Sequence, residues 1–265
     1  MADAKNYHRL KWSVFLADLT ASGVLLIFLS VGGVSVRLKE MAAAAPFWAV
    51  DLFYLFLFFN LAYLVSLPFQ FYSGFFLEKK FQLSRQTLLH WSADEIKKYF
   101  LSLVFFLLTA EGALLLIRFL PGTWWLWGSL GWLFLTLFLT RILPVFIIPL
   151  FYRTEPLPEG ELRQKLTALC RRCGVSVMDI QKLAFSEKTR KANAAVVGQG
   201  KTRRIILTDT LIDHFEASEV EMVMAHELGH HVKKHIDRMT VFNFFVVLAA
   251  FYAAYCTAPI MAAWA

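Results

Sequence analysis

The sequence predicts a mainly α protein: a polytopic helical membrane protein that carries one small cytoplasmic α+β domain. Three observations predict it. Hydrophobic residues make up 58% of the 265 residues and charged residues only 18%, a balance far from that of soluble domains. The apolar residues gather in runs long enough to cross a bilayer. One stretch of ordinary composition, 152–239, interrupts those runs and holds His226-Glu227-Leu228-Gly229-His230, an H-E-x-x-H motif.

Four predicted spans fill a membrane domain over residues 1–151: Trp12 to Val34, Phe47 to Leu77, Tyr99 to Leu120 and Trp124 to Phe151. A fifth opens at Thr240 and occupies 240–265. Lys5, Arg9 and Lys11 before the first run resemble the basic start of a signal peptide. That run is longer than a signal core, and no small-x-small site follows it closely, so it reads as a retained span. Lys and Arg set the orientation. With a cytoplasmic N-terminus, the inner segments carry Lys5, Arg9, Lys11, Lys79, Lys80, Arg85, Lys97 and Lys98, against Arg37, Lys39 and Arg118 outside. Four crossings return the chain to the cytoplasm at Tyr152. The net charge of +7 is mostly this topology signal, and its division among separate loops argues against nucleic acid as a partner.

The domain over 152–239 opens with an amphipathic helix, 158–173, whose apolar stripe is Leu162, Leu166, Leu169, Cys170 and Cys173, closed by Gly174. A redox C-x-x-C belongs at a helix N-terminus. Cys170 and Cys173 sit at a C-terminus, so they read as core. A strand follows near 177–185. Residues Asn193 to Val197 and Arg203 to Thr208 form two strands of a hairpin turning through Gly198-Gln199-Gly200-Lys201. A short helical piece starts at Asp209 and Thr210. Ser218 with Glu221 has capping-box spacing, opening a helix that runs into the motif.

Two histidines four residues apart lie on one helix face, one turn from each other, so both imidazoles reach one Zn²⁺. Glu227 between them is placed as general base toward a water at the metal. The neighbouring hairpin offers a second element. An edge strand binds an extended peptide by strand addition, and whether this one does so or is only structural stays open at this level.

Several motifs agree in order with one family. Leu77-Glu78-Lys79-Lys80-Phe81-Gln82-Leu83-Ser84-Arg85-Gln86-Thr87, followed by Trp91, Asp94 and Lys97, resembles the cytoplasmic loop of the type 1 CAAX prenyl proteases. Ile148-Pro149-Leu150-Phe151 with Pro156-Leu157-Pro158-Glu159-Gly160-Glu161-Leu162 is similar too. So are Asn193-Ala194, Gly198, Arg204-Ile205-Ile206-Leu207 with Asp209-Thr210-Leu211, and the H-E-x-x-H with His235. The resemblance implies an integral-membrane zinc endopeptidase whose helices enclose an intramembrane chamber and whose eukaryotic members remove the C-terminal tripeptide of prenylated proteins. His226 and His230 would be zinc ligands, Glu227 the catalytic base, and Asn193 and Ala194 part of the substrate-side strand. The substrate would be a peptide or protein, lipidated in the prenyl-specific case. Eukaryotic members carry an additional N-terminal span, so this chain resembles bacterial-type members of a cell membrane. Ala195, Val196 and Val197 stand where the family often has aromatic residues.

A catalytic zinc takes three protein ligands and a water. In the family the third is a glutamate in an E-x-x-x-D pattern on a later helix, and no glutamate follows Glu227 here. The expectation is therefore a C-terminally truncated member that binds zinc weakly and is inactive alone. His235, nine residues after His226, points to roughly the opposite side of a continuous helix. Val232-Lys233-Lys234 lacks the glycine turn that brings in a third histidine in metzincins. His235 is thus expected to pack or cap at the membrane edge. His231 points about 100° away from His230.

Ionisable and polar groups inside spans are costly and tend to pair. Glu111 and Arg141, at similar depths, are expected to share a network. Asp18, Asp51, Asn60 and Gln70 are expected to face inward, and Pro68 and Pro144 to kink their helices. Trp124, Trp125 and Trp127 read as interfacial anchors. Two alternatives to a CAAX-cleaving role remain open at this level: a membrane-protein quality-control protease without prenyl specificity, and a non-catalytic binding or scaffold protein with an incomplete metal site.

Overall fold

The structure, a computed structural model, describes residues 2–43, 45–46, 49–142, 146–198 and 203–264. The chain divides into two compact units, 1–124 with 259–265, and 125–258.

The first unit is helical. It comprises α1 (Ala2–Val31), α2 (Val34–Ala42), α3 (Val50–Phe71), α4 (Leu77–Lys80) and α5 (Leu88–Phe119). Stretches Lys5–Ser30, Val50–Lys80 and Leu88–Phe119 are long and apolar enough to cross a membrane. Lys5–Ser30 and Leu88–Phe119 begin well before their hydropathy runs because polar turns extend the helix, whereas Val50–Lys80 keeps the length of its run and is shifted by three residues. In α5 the extension begins at Thr87, whose hydroxyl accepts from the His90 N–H at 3.3 Å. Trp91, Asp94 and Glu95 are buried along it, while Lys97 and Lys98 pair with Asp94 and Glu95. Polar backbone and side chains are satisfied inside the helix, so the helix does not stop where hydrophobicity does. α3 runs through Pro68 and widens into a π turn at Tyr72–Phe76 before continuing as α4.

Polar groups in these helices pair across them, as expected where water is absent. Ser66 donates to Asp18 at 2.7 Å, and Tyr99 donates to Asn60 at 2.8 Å. Lys11 meets the buried Glu78 at 3.0 Å, and the Tyr7 hydroxyl donates to the same carboxylate. Asp51 instead pairs with Arg118 at 2.8 Å at a more exposed level. Gln70 lines a cavity of about 420 Å³ with His8, Lys11 and Asp18. The expected partnership of Glu111 with Arg141 falls outside the described residues, because the Arg141 side chain is among those left undescribed, as does the kink expected at Pro144.

The second unit combines further apolar helices with the α+β domain. α6 (Trp124–Ile142) and α7 (Ile148–Phe151) lie within the span expected over 124–151, and residues 143–145 between them are outside the described residues. Among the described residues, Trp124–Thr140 is the apolar helical stretch of this segment. α11 (His235–Trp264) starts five residues before the expected Thr240, and its stretch His235–Pro259 is membrane-length. α6 and α11 approach closely. A Cβ added to Gly128 would stand 2.9 Å from the Phe251 ring, and the Trp125 and Tyr252 rings meet edge to face at 4.9 Å. A small residue at such a crossing admits close packing in lipid.

Between them lie β1 (Thr154–Pro156), α8 (Glu161–Arg172), β2 (Asp179–Leu183), β3 (Ala194–Val197), β4 (Arg204–Thr208), α9 (Asp209–His214) and α10 (Ala217–Val232). The sheet order is β1-β2-β4-β3. β3 and β4 form the expected antiparallel hairpin, with Ala194 opposite Leu207 and Val196 opposite Ile205. β2 runs parallel to β4. β1 had no signal: three residues ending in proline do not alternate, and its edge position is one where proline is tolerated.

The domain's core joins Leu166, Leu169 and Cys170 of α8, Ile205 and Leu207 of β4, and Val220, Met224 and Leu228 of α10. Cys170 is in that core and Cys173 packs at its margin, as their helical phase requires. Gly174 at φ 65° closes α8 while the Val175 N–H donates to the Cys170 carbonyl at 3.0 Å, a left-handed C-terminal stop. The start of α10 differs from expectation. The Glu219 carboxylate accepts from the Glu216 N–H at 2.9 Å, so the capping exchange lies two residues earlier than Ser218 and Glu221. Glu221 is taken up by Arg172 of α8.

Candidate functional site

The motif helix α10 has two opposed stripes. Val220, Met224 and Leu228, spaced by one turn, are fully buried against the sheet and α8. His226 and His230 are also one turn apart, and each lies about 200° from the buried residue two positions away. Packing one stripe into the core therefore presents the histidines on the free side.

His226 Nε2 and His230 Nε2 are 3.3 Å apart, with the rings nearly perpendicular at 86°. Two nitrogens each about 2.0–2.1 Å from one ion at a tetrahedral angle are roughly 3.3 Å apart. The donor pair therefore fits a four-coordinate metal ion. Among the described residues no three His, Cys, Asp or Glu side chains come together as a metal cluster.

His235 departs from expectation. α10 ends at Val232, Lys234 takes a left-handed φ of 52°, and α11 begins at His235. The helix is thus broken rather than continuous, and the break folds His235 back onto the site. Its Nδ1 lies 2.9 Å from His230 Nδ1, with ring centroids 5.0 Å apart. A lysine makes the turn for which a glycine seemed necessary, at a backbone cost of about 1–2 kcal/mol. The His231 side chain lies outside the described residues.

Glu227 and His230 line a cavity of about 830 Å³ together with Ala195, Val196, Thr136 and Asn243. A second cavity of about 410 Å³ follows Val196, Val197 and Gly198 past His230 toward Arg203 and Lys234. Thr136 and Asn243 were not singled out from the sequence. They sit in apolar runs, and only the helix packing turns them to the cavity.

β3 is the sheet's outer strand on this side. Asn193 is held by both main-chain groups: its N–H donates to the Thr208 hydroxyl at 2.9 Å, and its carbonyl accepts from the Thr208 N–H at 3.0 Å. In an antiparallel ladder this pairing turns the main chain of the next residue, Ala194, toward the outer edge. There the Ala194 N–H donates to the Asn193 side-chain oxygen at 2.9 Å. Asn193 and Ala194 are therefore at the edge, and Ala195 and Val196 reach the cavity that Glu227 lines.

Behind this edge, Asp209 is buried and anchors the β4–α9 junction. It accepts from the backbone N–H groups of Phe185, Ser186 and Thr210 at 2.8–3.0 Å and from the Ser186 hydroxyl. Burial alone would raise its carboxyl, but the Ser186 and backbone donors outweigh burial and hold it below the ordinary carboxylate range. For Cys170, burial pushes the thiol up, away from reactivity.

Membrane-length helices combined with an H-E-x-x-H helix packed beside the edge strand of a small sheet define the class of multi-pass membrane metallopeptidases. The chain belongs to the M48 peptidase family: residues 1–153 match the CAAX prenyl protease N-terminal model with five membrane helices, and residues 156–263 match the family's peptidase model. It is 32% identical over 254 residues to the uncharacterized metalloprotease YhfN of Bacillus subtilis, covering 95% of this chain and 59% of that one. It is 36% identical over 191 residues to CAAX prenyl protease 1 of Saccharomyces cerevisiae, covering 69% and 41%. The crystal structure of S. mikatae Ste24p superposes with a TM-score of 0.82 at 28% identity, covering 93% of this chain and 60% of that one. The chain thus spans about two fifths to three fifths of the length of these relatives. Family membership implies a metal cofactor and a multi-pass membrane protein.

Proposed function

We propose that this protein is a zinc-dependent membrane endopeptidase. The observation that carries the reading is the His226–His230 nitrogen pair at a tetrahedral spacing, with Glu227 facing the same cavity as the outer strand β3. In this reading His226 and His230 hold the zinc and residues 152–239 work as the metallopeptidase domain. Zinc, when bound, supplies the Lewis acidity that polarises a scissile carbonyl and acidifies an attacking water. Glu227 takes the proton from that water on its carboxylate and later delivers it to the departing amine. Asn193 and Ala194 receive the substrate main chain as an added antiparallel strand. The incoming strand displaces the Asn193 side-chain oxygen from the Ala194 N–H.

The substrate is a peptide or protein reached from the bilayer, and the name of the yeast relative supports a prenylated C-terminal segment. The Lys and Arg distribution supports a cytoplasmic site, and the match to the Bacillus subtilis relative supports a bacterial cell membrane. A quality-control protease without prenyl specificity is the second reading.

The test uses the protein in its longest expressed form, which supplies the third ligand a catalytic zinc requires, purified in detergent and loaded with one zinc per chain. Glu227→Gln is expected to abolish cleavage while zinc stays bound. Unchanged turnover in Glu227→Gln overturns the assignment. Preference for a farnesylated CAAX peptide over its unmodified form separates the two substrate readings.

A further inference from the structure

We propose that His235 is a positioning residue for the metal site, holding His230 through its Nδ1 so that Nε2 faces the ion. The inference rests on the metal-binding reading of His226 and His230 and adds a residue to it.

The geometry separates the two faces of the His230 ring. Its Nε2 faces His226 Nε2 at 3.3 Å, while its Nδ1 faces His235 Nδ1 at 2.9 Å. One neutral imidazole carries one proton. If Nε2 is to offer a lone pair to a metal, the proton must sit on Nδ1, and it then needs an acceptor. His235 Nδ1 is within hydrogen-bond distance and accepts as the Nε2–H tautomer. Metal-binding histidines commonly donate the far ring N–H to such a partner, which fixes the tautomer and the ring orientation. His235 cannot share the ion that His226 and His230 hold through Nε2, because it approaches the opposite nitrogen of the His230 ring.

The backbone supports a built feature. The Lys233 N–H donates to the Gly229 carbonyl at 3.0 Å, closing α10. Lys234 then adopts its left-handed conformation, and the Arg238 N–H donates to the Lys234 carbonyl at 3.0 Å, opening α11. This two-residue break is what places a residue nine positions after His226 beside His230. A continuous helix would carry it to the far side.

The test measures zinc affinity at one fixed pH by competition with a chromogenic chelator, on the whole protein in detergent. His226→Ala and His230→Ala test the underlying reading: if both leave zinc affinity unchanged, the metal site itself is wrong. If they remove binding, His235→Ala is expected to weaken zinc about 10–100-fold, with unchanged far-UV circular dichroism and unchanged melting of the zinc-free protein. His235→Gln, whose amide oxygen can accept from Nδ1–H, is expected to recover most of the loss. Nitrogen-15 spectra of histidine-labelled protein are expected to show His230 as the Nδ1–H tautomer, a state lost in His235→Ala. Three results overturn the proposal: zinc affinity within twofold of wild type in His235→Ala, loss as complete as in His230→Ala, which would make His235 a ligand, or an equal loss in His235→Gln.

Discussion

Leu228→Ala tests whether burial on one side of α10 is what presents the histidines on the other. Leu228 is fully buried and lies one turn after Met224 and two turns after Val220 in the domain core. Truncation removes three carbons, about 2.4 kcal/mol at ~0.8 kcal/mol per buried CH₂. The space left behind brings the total to about 3–4 kcal/mol, because surroundings collapse only partly around a Leu→Ala cavity. At about 1.4 kcal/mol per tenfold, local opening of α10 should then be over a hundredfold more frequent. Hydrogen exchange followed by mass spectrometry on peptides covering 217–232 reads this directly as faster amide exchange. Met222→Ala is the matched control: Met222 is 75% exposed on the same helix and should cost less than about 0.5 kcal/mol. Exchange accelerated less than threefold in Leu228→Ala, or equally in both variants, would refute the two-stripe account.

Three further outcomes are expected. Gly128→Val should destabilise the α6–α11 pairing by about 1–3 kcal/mol through overpacking against Phe251, and a double-mutant cycle with Phe251→Ala in detergent melting should show that the two costs do not add. Asp209→Asn should cost about 2 kcal/mol, since it replaces an acceptor of charge-assisted bonds with a group that also donates. Because the native carboxyl of Asp209 lies below its unfolded value, its stabilisation is present above about pH 4 and is lost as pH falls through the native value. Wild type should therefore lose more stability on acidification than Asp209→Asn, as read by denaturant titration at stepped pH. Lys234→Gly should be neutral or stabilising by up to about 1 kcal/mol because glycine bears no left-handed penalty, whereas Lys234→Pro should displace His235 and lower zinc affinity, since proline's φ near −65° is incompatible with this turn.

Local signals carried much of the architecture. Four of the five long apolar runs form membrane-length helices among the described residues, because lipid leaves few alternatives to a helix. The β3–β4 hairpin and the core placement of Cys170 followed from strand alternation and helical phase. Helix ends were harder. The start of α5 at Leu88 and the capping exchange at Glu216 and Glu219 depend on hydrogen bonds that hydropathy does not register. β1 gains its strand geometry only by pairing with β2.

The sequence by itself determined the juxtaposition of side chains at the motif. Residues one helical turn apart share a face whatever the rest of the chain does, so His226, Glu227 and His230 needed only a helix to come together. Their surroundings were decided by tertiary structure. Whether β3 is an outer strand depends on the sheet order, and whether Thr136 and Asn243 meet the cavity depends on how α6 and α11 pack. His235 shows the difference most clearly. Nine residues of continuous helix would have sent it away from His226, but one lysine in a left-handed conformation ends α10 and begins α11. That conformation is unfavourable for a lysine in isolation and persists because the packing on both sides of the turn holds it.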